Sequence, residues 1–169
     1  MYNRGALEAI LGEAFRLANP LVQRLINCCG DDRDQVFVTV AMPGDLPGAE
    51  PLGEHCFVAG EDVVKQDRYE EIARDKLAAT LEASVGIEKP LTTEQLLTTH
   101  AHIAEEGMVA YQGSVIIKQQ AAAASGLCAI IDERVAAVIL GFFQLLCFTG
   151  IHRWRHENPD ESHFPKSEE

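Results

Sequence analysis

The sequence predicts an α+β domain in which an antiparallel sheet of about four to five strands is flanked by helices. Three observations carry that prediction. The N-terminal stretch is amphipathic at helical spacing, Gln35 to Ala41 is a β-branched run, and the C-terminal half passes from strand-like segments into a long uncharged apolar segment. The expected order is helix, strand, strand, helix, helix, strand, strand, helix, with no internal repeat.

From Ala6 to Cys28 apolar residues recur through Leu7, Ile10, Leu11, Ala14, Phe15, Ala18, Leu21, Val22 and Leu25, which predicts a helix. Asn19-Pro20 leaves open two helices or one kinked helix, and Gly30 is the expected stop. QVFVTVA at 35–41 is apolar on both faces, as a strand covered by helices should be, and so belongs in the interior of the sheet. Pro43 to Gly53 holds three prolines and three glycines, which predicts a loop leading to a short strand around His55 to Val58.

Between Asp62 and Val85 dense charge coexists with a stripe of Tyr69, Ile72, Ala73, Leu77, Thr80, Leu81 and Ser84, predicting a surface helix. Thr92 with Gln95 fits a capping box that would open a further helix to about Glu106. Met108 to Ile117 has strand character. The alanine run at 121–124 is locally ambiguous and is assigned to a strand at Ala122 to Ala124. Asp132 is then the expected N-cap of the apolar helix, and Gly150 its expected end, so residues 1–151 read as one domain and 152–169 as a polar tail.

Composition narrows the function classes. The chain has 169 residues, with 14 Lys and Arg against 26 Asp and Glu for a formal charge of -12. That balance repels nucleic-acid backbones and anionic membrane surfaces. Val135 to Ile151 carries no charge, but at 17 residues, with Gln144 and two glycines in it, the segment reads as a core or subunit-interface helix and not as a membrane span. The five cysteines (Cys28, Cys29, Cys56, Cys128, Cys147) lack metal-type spacing and are expected as buried thiols in a reducing cytoplasm.

Candidate chemistry is sparse. His100 and His102 stand at i and i+2, on different faces of a helix, while His152 and His156 at i and i+4 would share a face only if the last helix continued through HRWRH. These four are the candidate metal ligands, and a metal-assisted enzyme using them is one reading. An acidic module that masks a basic protein surface is another. A third reading starts from Ser125-Gly126 followed by Asp132-Glu133: a small-residue turn that lets a ligand approach the backbone, next to a helix start with free N–H groups.

At these residues the chain resembles the GlcG/HbpS-like family of small haem-binding or small-molecule-binding proteins, which includes the C-terminal domain of PduO-type proteins. The likeness lies in Ala124-Ser125-Gly126 followed by Asp132-Glu133-Arg134-Val135-Ala136, and in Ala59-Gly60 leading to a lysine-bearing helix, Ile72-Ala73-Arg74-Asp75-Lys76-Leu77-Ala78-Ala79-Thr80. Where the family has Val-Val-Asp-x-x-Gly after the first strand, this chain has Thr39-Val40-Ala41-Met42-Pro43-Gly44. The resemblance implies a cytoplasmic protein that binds haem or another small molecule between sheet and helices. Lys76, Ser125, Gly126 and Asp132 would be the contacts, and the apolar helix 132–149 would join copies into a homo-oligomer.

Overall fold

A computed structural model of the chain describes residues 3–29, 33–42, 50–60, 67–83, 91–92, 113–117 and 120–160. In chain order the elements are α1 (Arg4–Cys28), β1 (Gln35–Ala41), β2 (Gly53–Val58), α2 (Asp67–Ala83), β3 (Leu91–Thr92), β4 (Ser114–Ile117), β5 (Gln120–Ser125) and α3 (Ala129–Glu157). The strands form one antiparallel sheet in the order β2-β1-β5-β4-β3, with β5 at its centre and β1 interior.

The central strand explains the layering. Ala121, Ala122, Ala123 and Ala124 are all fully buried. Because strand side chains alternate, Ala122 and Ala124 join the core built with α1 and α3, while Ala121 and Ala123 join the smaller cluster with Leu77 of α2. Alanine favours helix in isolation, yet here its small side chain lets helices approach both faces of one strand. Tertiary context overrides local propensity. The result is three layers: α1 and α3, the sheet, then α2.

α1 is one continuous helix despite Pro20, which resolves the alternative left open by the sequence. Asn3 caps it, its side-chain oxygen accepting from the Ala6 N–H at 2.8 Å. Leu11, Ala14, Phe15, Ala18, Val22 and Ile26 are buried along one stripe, whereas Pro20 is exposed, so its missing N–H falls on the solvent side.

Three sequence expectations are corrected. Asp132 is not the N-cap of the apolar helix: the cap is Cys128, and Asp132 lies in the first turn. Gly150 does not end that helix, which runs on to Glu157 and takes up the first residues expected in the tail. Thr92 ends the short strand β3, opposite Val115, while Gln95 and the helix expected up to Glu106 lie outside the described residues, as does Gly30. Nor are the thiols deeply buried. Cys28 and Cys128 are exposed at helix ends, and Cys29, Cys56 and Cys147 are half-buried.

α3 is long and apolar enough to cross a membrane, the one such helix among the described residues. Its N-terminal half is nevertheless a core element: Val135, Ala136, Ile139, Leu140 and Phe143 have no solvent exposure. Gln144 pins this half to the sheet, its Nε2 donating to Gln120 Oε1 at 2.8 Å and to the Ile117 carbonyl at 3.3 Å. Beyond it, Leu145 and Phe148 are 58% and 63% exposed.

Candidate functional site

A cleft of about 430 Å³ opens where the C-terminal end of β5 meets α2 and the first turn of α3. The antiparallel register of β1 on β5, with Phe37 opposite Ser125, brings the start of β1 beside the start of α3. Arg33 therefore reaches the cleft from a segment far from it in sequence, donating from Nη1 to the Leu127 carbonyl. α2 contributes Arg68, Tyr69, Ile72 and Lys76 from one side of the helix, and the turn contributes Ser125, Gly126, Leu127 and Cys128.

All four sequence-predicted contacts line this cleft. Lys76 and Asp132 form its floor as a buried pair, each 2% exposed, with Nζ to Oδ2 at 3.3 Å. Lys76 also donates to the Ala124 carbonyl at 2.8 Å, and Asp132 Oδ1 accepts from the Leu127 N–H at 2.9 Å. Each charge is thus hydrogen-bonded as well as paired, as buried charges must be. Burial pushes the Lys76 ammonium below its ordinary value, opposed by Asp132. Burial likewise pushes the Asp132 carboxyl up, opposed by Lys76, the Leu127 N–H and Arg33. Desolvation wins at both groups.

Two glycines frame the pair. Gly126 has φ +140°, and a Cβ there would collide with the Gln35 carbonyl oxygen and Val36 Cα. Gly113 has φ +138°, and a Cβ would lie 2.6 Å from Lys76 Nζ and 2.7 Å from the Ala124 oxygen. Below them Thr80 donates to the Lys76 carbonyl at 2.8 Å and contacts the Ser114 hydroxyl.

Sequence reasoning missed Arg33, Arg68, Tyr69, Cys128 and Gly113. A signal existed for two of them: Tyr69 stands on the α2 stripe, and Gly113 interrupts a strand-like segment. Arg33 sits in Asp-Asp-Arg-Asp, which reads as a solvated loop until the strand register is known. Of the candidate metal ligands, His100 and His102 lie outside the described residues. His152 and His156 share an exposed face of α3, with the His152 ring 6.2 Å from Phe148. No group of three or more metal-binding side chains occurs among the described residues.

A second cleft, of about 510 Å³ between α1 and β2, is lined by Phe15, His55 and Glu54 among others and holds none of the predicted contacts. Compared with protein-family models, curated proteins and solved structures, the chain matches none.

Proposed function

We propose that this chain is a cytoplasmic small-molecule-binding protein whose ligand occupies the cleft between β5, α2 and α3. One observation carries the reading: residues from the lysine-bearing helix, the Ser125-Gly126 turn and the Asp132 turn converge on a single cavity. Its size falls within the roughly 300–1,000 Å³ usual for ligand pockets. The buried Lys76–Asp132 pair holds the cleft floor in shape, and the free thiols suit a reducing compartment.

Haem is the ligand that the family resemblance implies. Tyr69 and Cys128 are the lining side chains able to ligate its iron, and Arg33 and Arg68 would meet its carboxylates. When bound, the group would supply ligand- or redox-dependent iron chemistry. Titration of the purified protein with haemin tests this: a shifted Soret band with thermal stabilisation supports it, and the absence of both removes the haem version. A thermal-shift screen of small metabolites tests the broader reading. If no compound stabilises the protein and a partner is captured in a strongly salt-dependent way, the acidic interaction module takes its place.

Self-association through α3 is the second part of the proposal, favoured by the exposure of Leu145 and Phe148 on a helix whose most apolar window is only 28% buried. Sedimentation of the wild type and of Leu145→Glu/Phe148→Glu tests it. A dimer or larger species that becomes monomeric in the variant supports the assembly. A monomeric wild type, or flotation with lipid vesicles, overturns it.

A further inference from the structure

The cleft differs in charge from the rest of the molecule. The chain carries a formal charge of -12, yet the cleft lining has three cations, Arg33, Arg68 and Lys76, against one carboxylate, Asp132. That carboxylate is already committed at both oxygens, Oδ2 to Lys76 and Oδ1 to the Leu127 N–H. Outside the cleft Arg4 pairs with Glu8, Arg16 with Glu13, and Arg74 with Glu54 and Glu70, whereas Arg24, Arg134, Arg153 and Arg155 on α1 and α3 have no ion pair among the described residues and do not line the cleft. Among the described residues, Arg33 and Arg68 have no carboxylate within ion-pair distance.

Both guanidinium groups are held in place without one. Arg33 is anchored on the Leu127 carbonyl at the lip. Arg68 lies over the Tyr69 ring, 4.9 Å from its centroid, and donates to the Tyr69 hydroxyl at 3.2 Å. The first turn of α3 adds a partial positive charge at the same lip, because its N-cap Cys128 makes no side-chain capping bond. A guanidinium is a planar fork of donors whose shape matches carboxylate and phosphate.

Resting on the small-molecule reading above, we infer that the ligand is an organic anion, its carboxylate or phosphate held by Arg33 and Arg68 and its body lying along Tyr69 and Ile72. The net negative charge of the protein does not oppose this at working salt. Charges more than about 8 Å away are largely screened at physiological ionic strength, and the nearby arginines dominate.

The test is titration of the full chain at physiological salt with benzoate, phenyl phosphate and neutral benzyl alcohol, followed by amide NMR and calorimetry. Saturable shifts at Gly126 to Ala129 are expected with an anion and not with the alcohol, and benzoate against phenyl phosphate decides the head group. Arg33→Gln and Arg68→Gln should each weaken binding roughly tenfold, as loss of a charge-assisted hydrogen bond does. Arg33→Lys/Arg68→Lys should recover part of the loss. Both arginines are exposed, so folding should survive, and circular dichroism checks that it does. Anions that bind no tighter than benzyl alcohol, or an undiminished affinity in Arg33→Gln/Arg68→Gln, overturn the inference. If benzyl alcohol shifts the cleft amides while the anions do not, the inference falls and the small-molecule reading stands. If nothing shifts them, both fall.

Discussion

The two halves of α3 both carry large apolar side chains and have opposite fates. From Ala129 to Phe143 the helix buries Val135, Ala136, Ile139, Leu140 and Phe143 against α1 and the sheet and carries Asp132 into the cleft. From Gln144 onward it keeps Leu145 and Phe148 in the open. The reason is length. At about 1.5 Å per residue the 29-residue helix runs some 44 Å, whereas the six-residue β5 extends about 20 Å at 3.3 Å per residue. The helix outruns the sheet that could cover it, so an apolar composition specifies burial only where a partner surface reaches.

The sharpest way to break this comparison is to truncate one phenylalanine in each half. Phe143→Ala should destabilise the protein by about 3–5 kcal/mol in urea unfolding, through lost burial and a cavity. Phe148→Ala should stay within about 0.5 kcal/mol for the monomer, as exposed substitutions do. Equal costs would show that the C-terminal half is also covered.

A comparable effect is expected at Lys76, which tests the N-terminal half from its polar side. Lys76→Met leaves a buried, unpaired Asp132 and should cost about 3–5 kcal/mol, whereas Lys76→Met/Asp132→Leu should recover much of that loss. A double-mutant cycle by chemical denaturation measures the recovery. If the double variant is as unstable as the single, the pair contributes more than the mutual compensation of two buried charges.

Gly113→Ala probes the same pair through the backbone. An alanine at φ +138° is strained and its Cβ meets the Lys76 ammonium and the Ala124 carbonyl, so a loss of roughly 1–3 kcal/mol is expected. Gly141→Ala, where a Cβ meets nothing within 4 Å on the same long helix, should instead be neutral or stabilising.

The pH dependence is smaller and has a definite sign. Asp132 has a raised pKa when folded, so its contribution to stability is full below the unfolded value and is lost as pH rises through the folded one. Lys76 is lowered, so its contribution is full above its unfolded value and is lost as pH falls through the folded one. The stability of wild type relative to Asp132→Asn should therefore decline from about pH 4 upward, with a slope of at most about 1.4 kcal/mol per pH increment of one. Urea titrations of both proteins between about pH 3.5 and 7 would check it, and a rising difference would reverse the assignment.

The smallest effect concerns reactivity. Cys28 and Cys128 are exposed, whereas burial raises the Cys147 thiol, so alkylation at about pH 7.5 followed by mass spectrometry should modify Cys28 and Cys128 before Cys147.

Periodicity and turn chemistry in the sequence sufficed for α1, β1, β2, α2 and the strand character of 122–124, because each is specified within its own few residues. They failed at the C-terminal end of α3. Gly150 looks like a stop because glycine is a poor helix residue, yet the helix continues past it to Asn158, whose backbone N–H and side-chain amide both reach the Trp154 carbonyl.

The candidate site divides in the same way. The sequence by itself determined Ser125-Gly126, Asp132 and Lys76 as members of a turn and a helix, through residue type and the family likeness, and it determined the acidic balance of the chain. Only the tertiary structure decided that Lys76 and Asp132 pair in the core and that Arg33 and Arg68 line the same cleft. The physical reason is that charge pairing and cavity shape arise from antiparallel register and helix placement, which bring together side chains 35 to 99 positions apart along the chain.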